Sequence, residues 1–222
     1  MSNNKNLVEQ IMAEPTAPLI VKHVSDLLAE EQRKRHEFYE MIDEDTKAEY
    51  VNGEVIYHSP VVKEHTDSTK LLLRLLDTFV DIHELGWVGV EKAMVTLTRN
   101  DYEPDICFFG NRKADQFRKG QLHYPAPDFV AEILSKSNQK MINHDRVTKY
   151  EDYELHQVNE YWIIDPDSEV LEQHLLENGK YQLNLKASEG KVHSRVIAGF
   201  SIPIRAIFNI AENIEVLREI LK

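Results

Sequence analysis

A chain of 222 residues, 42% hydrophobic and 9% aromatic, suits one globular domain with or without a helical appendage. No stretch reaches the roughly 18 uncharged apolar residues of a membrane helix, MSNNKNLVEQ lacks the apolar run of a signal peptide, and a single cysteine, Cys107, excludes an internal disulfide framework and argues against a cysteine zinc site. The chain therefore reads as cytoplasmic and free of membrane, and its net charge of −12 counts against a broad nucleic-acid footprint, although charge can be local and a bound divalent metal reverses the sign of its own site.

Residues 1–20 are polar, with Pro15 and Pro18, and read as a loose leader. His23–Met41 is charged, with Val24, Leu27, Leu28 and Phe38 as sparse apolar points. It reads as a surface helix opened by Ser25 or Asp26, which covers a sheet edge or serves as a dimer contact. Residues 1–44 are thereby set apart from a domain over 45–222. AEYVNGEVIY, residues 48–57, alternates around Asn52-Gly53 and predicts a hairpin. Glu64–Leu85 carries Leu72, Leu75, Leu76 and Phe79 at helical spacing, with Gly86 as its stop.

Trp87–Leu97 reads as one or two strands, and Asp105–Phe109 and Phe129–Leu134 as short apolar ones, with Cys107 a buried small hydrophobe. Asn111–Gly120 is locally basic and reads as a solvated loop or, less readily, a phosphate contact. Met141–Gln157 predicts a helix and Glu160–Ile164 a strand closed by Asp165-Pro166. Strands over Val170–Leu176, Tyr181–Leu185 and Val192–Val196 and a helix over Phe208–Leu221 complete the order. The fold class is α/β, a mixed central β-sheet flanked by helices.

Two carboxylates sit where charge is costly. Asp105 opens an apolar strand in EPDICFF, and Glu132 interrupts another in DFVAEILS. Side chains alternate along a strand, so Glu132 shares a face with Val130 and Leu134. One such residue reads as a buried ion pair. Two, on strands expected to be neighbours, point to a cation, and hard oxygen ligands suit Mg²⁺ or Mn²⁺. On the helix, Asp145, Lys149, Tyr153 and His156 form one stripe. Either Asp145 and Lys149 pair on a wet face, or Lys149 reaches over the sheet toward the carboxylates. There is no GxxxxGK loop for a nucleotide triphosphatase and no Gly-x-Ser-x-Gly elbow.

PDICFF, APDFVAEILSKS and DRVTKYEDYELHQVNEYWIIDP together resemble the Uma2 family, also called DUF820, of the PD-(D/E)XK nuclease superfamily. AEYVNGEVIYHSP with its following Glu64-His65, and IAGFSIPIRAIF, extend the resemblance to roughly residues 45–210. It implies a restriction-endonuclease-like core with Asp105 as the PD aspartate and Glu132 as the acidic residue of the next motif. The family's acidic-x-Lys reads Glu132-Ile133-Leu134 here, so the strand lysine is missing. The resemblance assigns its role to Lys149, within the pattern Asp145, Lys149, Tyr153; Lys136, after Ser135, is the weaker substitute. Glu64 opens the first helix, where related nucleases often carry an acid. His65 reads as a packed, hydrogen-bonded histidine, and Glu49 and Glu54 flank the hairpin turn.

The expectation is a Mg²⁺- or Mn²⁺-dependent endonuclease acting on DNA, with Asp105 and Glu132 on the metal and Lys149 positioning the attacking water. Cutting both strands of a duplex suggests a homodimer. Two other readings stand beside it: a nuclease fold serving only binding or assembly, which the acidic charge favours, and hydrolysis of smaller phosphodiesters.

Overall fold

A computed structural model describes residues 2–43, 45–135 and 143–222, with side chains from residue 6 onward. It divides into two compact units, Met1–Tyr57 and His58–Lys222. No described helix is long and apolar enough to cross a membrane.

The first unit holds α1 (Ser2–Ala13), α2 (Ala17–Met41) and a hairpin of β1 (Ala48–Val51) and β2 (Glu54–Tyr57). The expected loose leader is instead helical. Leu7, Val8, Ile11 and Met12 recur at helical spacing, and the two prolines fall where helices tolerate them. Pro15 lies in the turn between α1 and α2, and Pro18 in the first turn of α2, where a backbone N–H has no helical partner to lose. The hairpin forms as expected: Asn52 (φ 51°) and Gly53 (φ 87°) both take the left-handed region that a two-residue turn needs. Within this unit Phe38 of α2 packs on Tyr50 of β1, ring centroids 5.8 Å apart, and the Tyr50 hydroxyl donates to the Glu31 carbonyl at 2.6 Å.

The second unit opens with α3 (Lys63–Ile82). Strands β3 (Gly86–Val90), β6 (Ile106–Gly110), β8 (Phe129–Ile133), β9 (Glu160–Asp165), β10 (Val170–Glu177) and β11 (Lys180–Ala187) form a six-stranded sheet in the order β11-β10-β9-β8-β6-β3. β8 and β9 run parallel; the other neighbours are antiparallel. Shorter strands are β4 (Met94–Thr96), β5 (Asp101–Tyr102), β7 (His123–Tyr124), β12 (Lys191–His193) and β13 (Ser201–Pro203). Helices α4 (Asn111–Ala114), α5 (Tyr150–Leu155) and α6 (Ile210–Ile220) complete the unit.

Leu72, Leu75, Leu76 and Val80 of α3 are fully buried in one cluster with Ile106, Phe108, Phe129, Ala131, Trp162 and Ile164 of the sheet and Val216 of α6. The alternate residues of these strands, among them Cys107, Val130 and Tyr161, are buried on the other face, where Tyr161 meets Tyr150 and Tyr153.

Two local expectations change. The helix α3 ends three residues early. Glu84 (φ 50°) takes the left-handed position, and the Leu85 N–H bonds back to the Val80 carbonyl at 3.0 Å. Gly86 (φ 153°) is therefore not the stop. It lets β3 approach β6 so closely that a Cβ there would lie 2.0 Å from the Phe109 carbonyl oxygen. Gly86→Ala is expected to cost at least about 2 kcal/mol in a urea titration; a change within error would remove this account.

The second change concerns the helix expected over Met141–Gln157. Met141 and Ile142 lie outside the described residues. From His144 to Lys149 the backbone is π-helical, and only then does it continue as α5. Such wide turns inside helices often accompany functional sites.

Candidate active site

Pro104 restricts the chain before β6 and delivers Asp105 to the strand's start. The antiparallel register Ile106↔Ala131 then sets Asp105 across from Glu132 in the middle of the sheet. Each carboxylate leans on the backbone of the opposite strand. Asp105 Oδ2 accepts from the Ile133 N–H at 2.9 Å, and Glu132 Oε2 lies 3.4 Å from the Asp105 nitrogen, a long contact. Both side chains are buried.

Lys149 arrives from the π-helical turn. Its ammonium donates to Glu132 Oε1 at 3.0 Å and lies 3.3 Å from Asp145 Oδ1. At 1% exposure it is not on a wet face. Its nitrogen stands 6.0 Å from the centroid of the Tyr102 ring. The turn is held by the Tyr161 hydroxyl, which donates to the Asp145 carbonyl at 2.9 Å. Burial first, then the Glu132 and Asp145 carboxylates, push the Tyr161 phenol well above its ordinary pKa against the opposing pull of Lys149, so it stays a neutral donor.

His65, on the first turn of α3, is buried with Nε2 3.3 Å from Asp105 Oδ2. Tyr153 is buried, its ring 5.5 Å from that of Tyr102. Glu64 is exposed beside His65, and Glu49 is buried within β1 of the first unit. Lys136 lies outside the described residues.

Sequence reading placed His156 on the Lys149 stripe but missed the rest of an outer layer around it. Asp152 accepts from Tyr102 Oη at 2.9 Å and Asn100 Nδ2 at 2.7 Å, and its other oxygen lies 3.0 Å from His156 Nδ1. His156 Nε2 in turn meets Thr98 Oγ1 at 2.7 Å. The polar run Asn100–Glu103 just before Pro104-Asp105 was the available signal, but by composition it is indistinguishable from a turn.

The opposite side of the π-helical turn is tied down by Arg146, which makes two hydrogen bonds to Glu172 at 2.9 and 3.0 Å; Lys186 adds a third contact at 3.0 Å. Burial raises the Glu172 pKa, but these cations outweigh it and hold the carboxyl at about 2 against an ordinary 4.5. A depressed carboxylate pKa gives stability that is complete above 4.5 and drains away as pH falls toward 2. Urea midpoints measured down this range should fall more steeply for the parent than for Glu172→Gln, which has already lost the pairing at neutral pH. Parallel curves for the two would refute the assignment.

Among the described residues no group of three His, Cys, Asp or Glu side chains is arranged to hold a metal by itself. Two carboxylates do suit a hard divalent cation that keeps several of its waters, as Mg²⁺ does. They do not suit structural zinc, and burial pushes the Cys107 thiol up, away from the thiolate a soft metal would want. In the basic stretch, Lys113 is committed to the Ala126 carbonyl and Asp128 at 2.7 Å each, while Arg112, Arg118 and Lys119 are exposed.

None of the curated proteins matches this chain. Five chains of known structure do. One is a crystal structure described as "a putative nuclease belonging to DUF820" from Anabaena variabilis ATCC 29413. It superposes with a TM-score of 0.65 at 18% identity, over 82% of this chain and 97% of the other. That likeness is one of fold: a mixed α/β arrangement with helices flanking the sheet. The model of the Uma2 family, described as "Putative restriction endonuclease", matches residues 35–205, and the chain belongs to that family.

Proposed function

We propose that the chain is a metal-dependent endonuclease that hydrolyses phosphodiester bonds, with DNA as its substrate. The observation that carries this reading is the setting of Asp105 directly across from Glu132 on neighbouring strands, with Glu132 Oε2 3.4 Å from the Asp105 N–H, and the Lys149 ammonium from a π-helical turn at 3.0 Å from Glu132 Oε1. Family membership and the nuclease-like fold support it.

Asp105 and Glu132 would hold Mg²⁺ or Mn²⁺, which when bound supplies acidified water and a polarised phosphoryl oxygen. The Ile133 N–H and His65 keep Asp105 in one orientation. Lys149, screened from bulk water, orients the attacking water and balances negative charge as the phosphoryl oxygens gain it. The Tyr102 face and the Asp152 cluster behind it keep the ammonium from swinging out. Cutting both strands of a duplex calls for two such sites and hence two copies.

Purified chain with Mg²⁺ or Mn²⁺ should nick plasmid DNA, and Asp105→Ala or Glu132→Ala should reduce nicking by on the order of 10³-fold. Cleavage that persists in both variants sinks the assignment.

One observation favours a second reading, a nuclease fold kept for binding alone. Lys149 already neutralises Glu132 at 3.0 Å, as a purely structural buried pair would, and the net charge of −12 opposes a polyanion. Titration calorimetry separates the two: Mg²⁺ binding lost in Glu132→Gln supports the enzyme, and no heat in the parent supports the scaffold.

A further inference from the structure

We propose that the N-terminal part of α2, with α1 beside it, is the surface on which two copies of this chain pair. Ala17, Ile20, Val24, Leu27, Glu31, Arg35 and Phe38 recur at three- and four-residue steps, so they mark one continuous face of α2. Its C-terminal half is covered: Arg35 and Phe38 are buried, and Phe38 packs on Tyr50. Ala17, at the other end of that face, is buried as well, and the stretch between them is open. Every residue from Val21 to Glu30 is exposed, including Val21, Val24, Leu27 and Leu28 at 46–55%.

Nearly three turns without one buried residue are not held by helix propensity alone, because short isolated helices are marginal in water. The next helix extends the same surface. Val8 and Met12 of α1 are exposed too, and Met12 and Val21 line one open groove of about 490 Å³. Together these six side chains and the alkyl parts around them offer roughly 600–800 Å² per copy, close to what one partner contributes to a standard stable interface.

Charge narrows the occupant. Residues 7–30 hold one lysine, Lys22, against Glu9, Glu14, Asp26 and Glu30. An acidic helix pair is repelled by anionic lipid and by nucleic acid. A second copy is not excluded in this way, because the apolar stripe lies between the charges, and a two-fold axis brings each stripe onto its own image. A stripe three residues wide per two turns, on two adjacent helices, is what a four-helix bundle made from two helix pairs requires. All of α1 and the open stretch of α2 lie before the family match begins at residue 35.

Light scattering on the full chain should give the mass of two copies at micromolar concentration. Val24→Glu with Leu28→Glu should give the mass of one, with an unchanged urea midpoint for the rest of the chain. A cross-linking arm does not depend on that variant folding. Cys107 is buried, so an introduced cysteine is the reactive thiol. Val24→Cys should form a disulfide-linked pair under mild oxidation, and Glu30→Cys, exposed and turned away from both Val21 and Leu28, should not. A single-copy mass for the parent over the whole concentration range overturns the proposal. So does a two-copy mass that survives the double substitution, equal cross-linking at both cysteines, or parent chain that floats with zwitterionic vesicles in place of pairing. These readouts involve no cleavage, so they stand or fall separately from the nuclease reading.

Discussion

Lys149→Met is expected to reduce DNA nicking on the order of 10²- to 10³-fold and at the same time to destabilise the metal-free chain by about 3–5 kcal/mol. Both effects come from one geometry. Lys149 is almost wholly buried and its ammonium touches Glu132 at 3.0 Å and Asp145 at 3.3 Å. Methionine fills the volume of the alkyl stem but leaves two carboxylates facing each other in a low dielectric without their cation. Breaking one partner of a buried pair is far more costly than replacing the whole pair, so adding Glu132→Gln to Lys149→Met should recover much of the stability and none of the activity. On the proposed metal site, added Mg²⁺ should also stabilise the single variant, since a cation held by Asp105 and Glu132 would bind the folded chain and not the unfolded one. The measurements are urea titrations in chelator and in Mg²⁺, with plasmid nicking alongside. Nicking at the parental rate in Lys149→Met removes the lysine from the mechanism. An unchanged midpoint in chelator shows that the pair is not desolvated as its burial implies.

The largest loss of stability from a single substitution outside the site is expected at Glu160. This residue is fully buried at the start of β9. Its Oε1 accepts from Trp162 Nε1 and Gln173 Nε2, both at 2.6 Å. Its Oε2 accepts from Ser194 Oγ at 2.8 Å and from the N–H groups of Arg195 and Val196 at 2.9 and 3.1 Å. One carboxylate thus ties β9, β10 and the loop after β12 together. Glu160→Ala removes the acceptors of five donors, of which Trp162 Nε1 and Gln173 Nε2 are deeply buried, and should cost about 4–5 kcal/mol. Glu160→Gln keeps the shape but turns an NH₂ toward groups that also donate, so a loss of about 2–3 kcal/mol is expected. Glu160 pairs with Phe129 at the end of β8 away from Glu132, so nicking per folded molecule should be unchanged in the glutamine variant. A Glu160→Ala midpoint within about 1 kcal/mol of the parent would falsify the account.

Much of the candidate site was legible because its signals are local. A carboxylate inside DFVAEILS is anomalous on any strand, and Pro-Asp before ICFF announces a strand entry wherever that strand goes. The hairpin at Asn52-Gly53 and the strands at 106–110, 129–133 and 160–165 were likewise carried by dihedral preference and apolar run, which depend only on neighbours in the chain. Elements that depend on distant partners read less well. Pro15 and Pro18 suggested a leader, but a proline at a helix start looks the same in sequence as one in a coil. Gly86 suggested a helix stop, but its lack of a side chain serves the approach of Phe109, 23 positions away.

Sequence by itself determined the kind of fold and the two acids, because strand alternation makes a buried charge conspicuous without any knowledge of its partner. Only the tertiary structure decided what those acids touch. Strand register set Asp105 across from Glu132, and the width of a π-helical turn, together with Tyr161 and Arg146 holding it, carried Lys149 to within 3.0 Å of one of them. Period and composition report which face of an element is buried. They do not report which other element buries it, because that is set by contacts between residues far apart in the chain.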